Sequence, residues 1–310
     1  MSTAPRIGVA IPQTFPSGAI DPASIRAFVQ RAEALGFDSL WVQESIVGRQ
    51  RQLDSIELLT FAAACTERVR LGAAVLLTPL RPPVPLAKTL VTLDQLSAGR
   101  LIVGLGLGNA SPTNLAFGIQ PESRLPRFHE ALRIMRALWT EDVVNFEGEF
   151  WQLRDISMQP KPVQQPHPPI WFGVHHPNAL KRTVRLADGF IGAGGSSTAQ
   201  FTDEARQLRE LLEAAGRDPA AFPMSKRVYI AVDRDKARAG QRLAERLGNA
   251  YGGTSSQPTH ERVAVFGPPD ECVAKLRDVV QAGAGLLVLT PLFDQADQLE
   301  MFAEEIRPHL

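Results

Sequence analysis

Four short clusters hold the groups in this chain that can do chemistry. Gly104, Gly106 and Gly108 stand in GLGLGNAS, with glycine at every second position. A dinucleotide fingerprint needs G-x-G-x-x-G at the first strand-to-helix turn, with an acidic residue about 20 positions on. Here the glycines close the fourth apolar run instead. They mark either a backbone that a flat ring can approach or strand ends relieved of crowding. The second cluster is GFIGAGGSST at 189–198. Successive glycine amides and hydroxyls ahead of a helix suit a phosphate, and a flexible loop is the alternative. The third is His175-His176, just past the apolar run 170–173. Neighbours in extended chain point to opposite sides, so the two do not share one metal. Either ring can move a proton near neutral pH or serve as a satisfied structural group. The fourth is WVQES, where Glu44 is a general base or acceptor, or else half of a salt bridge to Arg49 or Arg51. Six histidines without H-E-x-x-H or H-x-H spacing leave a metal-dependent hydrolase as the lesser alternative. No metal site is expected. G-x-S-x-G is absent.

These clusters need elements to position them. Eight strands are expected, at Ile7–Ile11, Ser39–Gln43, Leu71–Leu77, Leu101–Leu107, Ile170–Gly173, Gly189–Gly192, Ser225–Val232 and Leu286–Leu289. Several are apolar at nearly every residue, as in parallel sheets buried on both faces. Amphipathic helices fill most gaps. Asp21-Pro22 supplies an N-cap and a proline at the first helical position, and Gly36 ends that helix. Eight alternating strands and helices without a linker predict an α/β fold, a (β/α)8 barrel in a single domain over residues 1–310. A doubly wound open sheet is the competitor. Two stretches break the alternation and read as insertions at strand ends. One is 141–167, with a hairpin in VVNFEGEFWQL and a Pro-rich tail; the other is 248–267, rich in Gly, Ser, Thr and Pro.

Bulk composition narrows the partners. Lys plus Arg and Asp plus Glu balance at 33 each, and hydrophobic residues make up 44%. Nothing in that balance points to nucleic acid or an anionic membrane surface. Cys65 and Cys272 show no metal spacing and fit thiols in a reducing cytoplasm. Neither a signal peptide nor a membrane span is expected.

Taken together, AEALGFDSLWVQES (32–45), TERVRLGAAVLL (66–77), TLDQLSAGRLIVGLGLG (92–108), EALRIMRALWTEDVVNFEGEFWQL (130–153), PKPVQQPHPPIWFG (160–173), ALKRTVRLADGF (179–190) and VFGPPDECVAKLRDVVQAGAGLLVL (265–289) resemble the bacterial luciferase-like monooxygenase superfamily, including its deazaflavin-dependent branch. The resemblance spans nearly the whole chain in order. It implies a (β/α)8 barrel carrying FMN or the 8-hydroxy-5-deazaflavin coenzyme F420 at the C-terminal strand ends. It implies a non-prolyl cis peptide at Ala74-Val75 against the central ring. Ring contacts are expected from Leu107, Gly108 and Asn109, and from Gly173, Val174, His175 and His176. Phosphate contacts are expected from Gly194, Gly195, Ser196 and Ser197. Dimers are common in such relatives.

The chain departs from the pattern in two places. Many relatives carry His where Ser45 stands, and the sugar-phosphate dehydrogenases carry Glu where Asn109 stands. Ser and Asn hydrogen-bond but do not exchange protons near neutrality. Proton transfer would then fall to Glu44, His175 or His176. The implied activity is hydride transfer to, or monooxygenation of, a small organic substrate. A non-catalytic cofactor-binding paralogue is the alternative.

Overall fold

In a computed structural model the described residues are 4–15, 18–48, 50–108, 112–251 and 260–310. Strands and helices alternate as β1 (Arg6–Ala10), α1 (Pro22–Ala34), β2 (Ser39–Val42), α2 (Ser55–Cys65), β3 (Arg70–Ala73), β4 (Leu76–Leu77), α3 (Pro83–Leu96) and β5 (Leu101–Gly106). There follow α4 (Arg124–Thr140), β6 (Val144–Glu147), β7 (Gln152–Ile156), β8 (Ile170–Gly173), α5 (Pro177–Leu186), β9 (Gly189–Gly192) and α6 (Thr198–Ala214). The chain finishes with β10 (Met224–Val232), α7 (Lys236–Tyr251), α8 (His260–Val263), β11 (Ala264–Gly267), α9 (Pro269–Gln281), β12 (Leu286–Pro291) and α10 (Gln295–Met301). Parallel pairing runs β1-β2-β3-β5-β8-β9-β10-β12 and returns to β1. That closed ring of eight is the expected (β/α)8 barrel, and closure excludes the open sheet.

Local chemistry places the helices. The Asp21 side chain accepts from the amides of Ala23 and Ser24, and Asp54 caps α2 through Ile56. Pro83 opens α3, where no intrahelical N–H is required. The expected hairpin forms as antiparallel β6–β7 between α4 and β8.

Three expectations need correction. The run Leu71–Leu77 is not one strand, because β3 ends at Ala73 and pairing resumes at β4. Helix α6 begins at Thr198, four residues before the start at Thr202 that the amphipathic pattern of 202–215 predicts, because Ser197 makes a capping box with Gln200. The stretch 248–267 is not wholly a loop: α7 runs to Tyr251, and β11 pairs in parallel with the outer half of β10. Four apolar residues behind a polar run gave no periodic signal.

Inside the barrel, Trp41 and Trp171 lie with ring centroids 5.9 Å apart, beside Ile102, Ile191, Leu286 and Val288. Both indoles fit because the facing positions carry no side chain. A Cβ at Gly72 would lie 2.5 Å from the Trp41 ring, and one at Gly189 would lie 2.6 Å from Trp171 Nε1. The two cysteines are free; Cys272 is buried, and burial pushes its thiol up to about 12.

This packing makes a stability prediction. Gly72→Ala drives a Cβ into a fully buried indole and should cost about 2–3 kcal/mol. Gly285→Ala, whose Cβ would meet only Met224 O at 3.8 Å, should stay within about 0.5 kcal/mol of wild type. Urea denaturation of both variants checks it, and equal midpoints would refute the packing account.

Candidate functional site

The barrel mouth is organised around the break between β3 and β4. The Ala74-Val75 peptide is cis, as the resemblance implies. Ala74 N donates to Val42 O at 2.8 Å, and Glu44 N donates to Val75 O at 3.4 Å. The Val75 side chain is wedged against two neighbouring strands. A Cβ at Gly106 would lie 2.5 Å from Val75 Cγ2, and a Cβ at Gly173 would lie 2.6 Å from Val75 Cγ1. Alternate glycines on β5 therefore make room for this close approach. Gly104 shows the same need, since its Cβ would collide with Ala73 O.

A cavity of about 330 Å³ opens at the C-terminal strand ends. Trp41, Ala74 and Val288 give it an apolar floor, while Gln13 and Thr290 are polar wall residues. Arg51, Arg227 and Arg246 also line it, and no Asp or Glu does among the described residues. Arg227 rises from β10, donates to Tyr229 Oη at 2.9 Å and lies 4.8 Å from that ring.

Glu44 does not line this cavity. Its side chain is only 1% exposed, and it accepts from Arg81 Nε at 2.7 Å and from the Leu77 amide. Arg81 also reaches Asp54 Oδ2 at 2.6 Å. The salt bridge considered from sequence exists, but its cation is Arg81. Arg51 instead donates to Gly18 O, and Arg49 lies outside the described residues. Burial pushes the Glu44 carboxyl above its ordinary range, opposed by Arg81 and the Leu77 N–H. Glu44 thus ties the end of β2 to Val75, to β4 and to Arg81.

His175 and His176 also stand off the cavity wall and have different partners. His175 Nδ1 is 2.9 Å from Glu204 Oε1, and its ring is 56% exposed. The other Glu204 oxygen is buried without a hydrogen-bond partner. His176 is the N-cap of α5, its Nδ1 accepting from Asn178 N at 3.2 Å. That bond puts the proton of the neutral ring on Nε2.

The remaining expected contacts divide. Arg124 Nη2 holds Leu107 O at 2.9 Å and also Gly108 O, fixing the turn after β5. Asn109 lies outside the described residues. Val174 packs on the core beside Gly173. In the 193–197 turn, Ser196 donates both N–H and Oγ–H to Ala193 O. Ser197 N donates to Gln200 Oε1 at 2.9 Å, and Ser197 Oγ accepts from Gln200 N. The two serines are therefore committed within the turn. The amides of Gly194, Gly195, Thr198 and Ala199 bond to no described group. A Cβ at Gly194 would lie 3.0 Å from the Tyr229 ring and 3.4 Å from Arg227 Nε, so this turn adjoins the cavity cation.

Arg81, Glu204, Lys226 and Arg227 were not singled out from sequence. Lys226-Arg227 carried a signal all the same: two consecutive cations inside an apolar strand. Among the described residues no group of three or more His, Cys, Asp or Glu is placed to hold a metal. No described helix is long and apolar enough to cross a membrane.

The Glu44 clamp has a testable consequence. Arg81→Met leaves a buried carboxylate without its cation and should cost about 3–5 kcal/mol at pH 7. Without Arg81 the folded Glu44 carboxyl holds its proton more tightly than the unfolded one. Stability should therefore recover as pH falls through that raised value toward 4.5. Urea midpoints at pH 7 and pH 5 check this, and a pH-independent deficit would contradict it.

The family model for luciferase-like monooxygenases matches residues 5–285. An F420-dependent glucose-6-phosphate dehydrogenase of Amycolatopsis mediterranei (strain U-32) is 30% identical over 317 residues, covering 93% of this chain and 95% of the relative. The crystal structure of monooxygenase RslO1 from Streptomyces bottropensis superposes with a TM-score of 0.85 at 26% identity, over 98% of this chain and 99% of that one. An F420-dependent secondary alcohol dehydrogenase in complex with an F420-acetone adduct shares the fold, with a TM-score of 0.85 at 21% identity over 99% of both chains. With a family match over most of its length and a mouth built around the β3–β4 break, the chain belongs to the luciferase-like monooxygenase family.

Proposed function

We propose that this protein is an F420-dependent oxidoreductase that transfers hydride between the deazaflavin and a small anionic organic substrate. The observation that carries the reading is the pairing of an apolar-floored cavity over Ala74 with an adjoining turn of open amides beside Arg227. A flat ring and a phosphate need those two surfaces side by side. The fit is good on the donor set: four amides without described partners next to a guanidinium suit an anion. Likeness to F420-dependent dehydrogenases over nearly the whole chain supports the choice of cofactor.

When bound, F420 supplies or accepts the hydride. The chain's own residues do the rest. Ala74 and Val75 would bear on the ring, with Leu107, Gly108, Gly173 and Val174 at its edge. Gly194 and Gly195 would take the phosphate, with Ser196 and Ser197 shaping the turn. Arg51, Arg227 and Arg246 favour a negatively charged substrate over a neutral one. Proton transfer, where the substrate requires it, is assigned to His175, which stands off the cavity wall and follows Val174 at the proposed ring edge. Its Nδ1 is oriented by Glu204, the carboxylate–imidazole pairing that suits a proton donor. His176 and Glu44 serve structure in this reading.

Monooxygenation with FMN is the second reading; the likeness to the monooxygenase RslO1 supports its oxygen chemistry and leaves the cofactor open. Titrating purified protein with F420 and with FMN, followed by absorbance and fluorescence, separates the two. F420 binding with turnover of an anionic substrate is expected. FMN binding with oxygen consumption overturns the cofactor choice, and binding without turnover identifies a non-catalytic paralogue. Gly195→Asp places a negative side chain in the turn and should weaken F420 affinity tenfold or more, about 1.4 kcal/mol. Unchanged affinity in the folded variant counts against the turn as the anion site.

The two histidines should separate in a second experiment. His175→Ala should lower kcat by about 100-fold with little change in cofactor affinity. His176→Ala should cost about 1 kcal/mol of stability through its lost cap and leave kcat near wild type. Single-turnover rates and urea midpoints decide, and the reverse pattern would reassign the roles.

A further inference from the structure

Strand β10 carries two consecutive cations, and successive residues of a strand face opposite ways. Arg227 reaches the mouth cavity; Lys226 reaches the other face, beneath the turn between β9 and α6. The Lys226 side chain is buried, and its Nζ donates to Ser196 O at 2.9 Å, Arg227 O at 3.1 Å and Ala193 O. Two of these three acceptors are the carbonyls that bracket Gly194 and Gly195. The ammonium forms no ion pair with a carboxylate among the described residues.

We propose that Lys226 is a positioning residue for anion binding at this turn. Its ammonium draws the Ala193 and Ser196 carbonyls inward, which leaves the amides of Gly194, Gly195, Thr198 and Ala199 for a ligand, and it sets a positive charge behind them. This rests on the reading that the turn takes the phosphate of F420, but it adds a requirement that reading does not contain. A neutral side chain here would lose both the grip on the carbonyls and the charge.

The surroundings make the charge responsive to pH. Burial pulls the Lys226 ammonium down to about 7, with Glu204 opposing the shift and Arg227 reinforcing it. Glu204 of α6 and Arg227 of β10 are thus the charges it feels. Glu261 and Arg262 of α8, and Lys275 and Asp278 of α9, line the small cavity of about 180 Å³ that Lys226 shares. That cavity gives the proton a way out. An anion binds the protonated form more tightly, so affinity is strongest below about pH 7 and falls as pH rises through that value.

The test measures the dissociation constant of F420 from pH 6 to 8.5 for wild type and for Lys226→Met, with folding checked by circular dichroism. The variant's profile carries the titration of the ligand and of every other group. The difference between profiles therefore isolates Lys226. We expect the variant to bind about tenfold more weakly at pH 6 and the gap to close by pH 8.5. A folded variant with wild-type affinity and slope overturns the proposal. A gap that is the same at every pH overturns the charge and its titration. If Lys226→Met does not fold, lysine-selective NMR on the wild-type protein replaces it: the Lys226 amine should titrate about one unit higher with F420 bound, and an unchanged titration overturns the proposal. Gly195→Asp keeps the two readings distinct. If it leaves affinity intact, the turn is not the phosphate site. If it weakens binding while Lys226→Met does not, only the role of Lys226 fails.

Discussion

Val75 occupies space that side chains at positions 106 and 173 would otherwise take. That exclusion governs the whole mouth. Because β5 and β8 end in glycine there, the segment after β3 can lean across the barrel instead of continuing as a strand. The lean exposes Ala74 on the cavity floor and lifts Leu77 to where Glu44 can accept its amide. The carboxylate then needs a cation, and Arg81 supplies it while also holding Asp54 at the start of α2. A steric requirement at one residue thus extends into a buried ionic network. Such a network is costly to break from one side, because desolvated charge is left behind.

The barrel was legible because its signals are redundant. Capped helices such as α1 and continuous apolar strands such as β12 repeat one pattern, so a single weak element does not change the outcome. The break in Leu71–Leu77 was not legible from periodicity, since all seven residues are apolar or small and read as one strand. It entered only through likeness to known proteins. β11 escaped for a different reason: a four-residue strand after a polar stretch has no period to detect.

The site was legible in part, along a physical dividing line. Backbone-based features are written locally, so the glycines of 104–108 and 194–195 could be found from spacing. Partnerships between distant side chains are not. Glu44 and Arg81 are 37 residues apart, and His175 and Glu204 are 29 apart. A sequence shows that an ionisable residue sits at a strand end; it does not show which partner has already engaged it. Glu44 illustrates the consequence. From sequence it is a candidate base, whereas in the fold its carboxylate is filled by a guanidinium and an amide.

Lys226 and Arg227 extend the same reasoning to charge. Adjacent in sequence, they are separated by the plane of the sheet and meet different dielectric surroundings. Arg227 presents its planar, delocalised guanidinium to a cavity open to ligand. Lys226 is desolvated and held by carbonyls alone, so its charge is conditional. An arginine there would stay charged regardless of what lay above the turn. A lysine lets the charge depend on whether an anion is present. The choice between two basic residues, invisible to composition, therefore separates a permanent field at the mouth from one that binding itself reinforces.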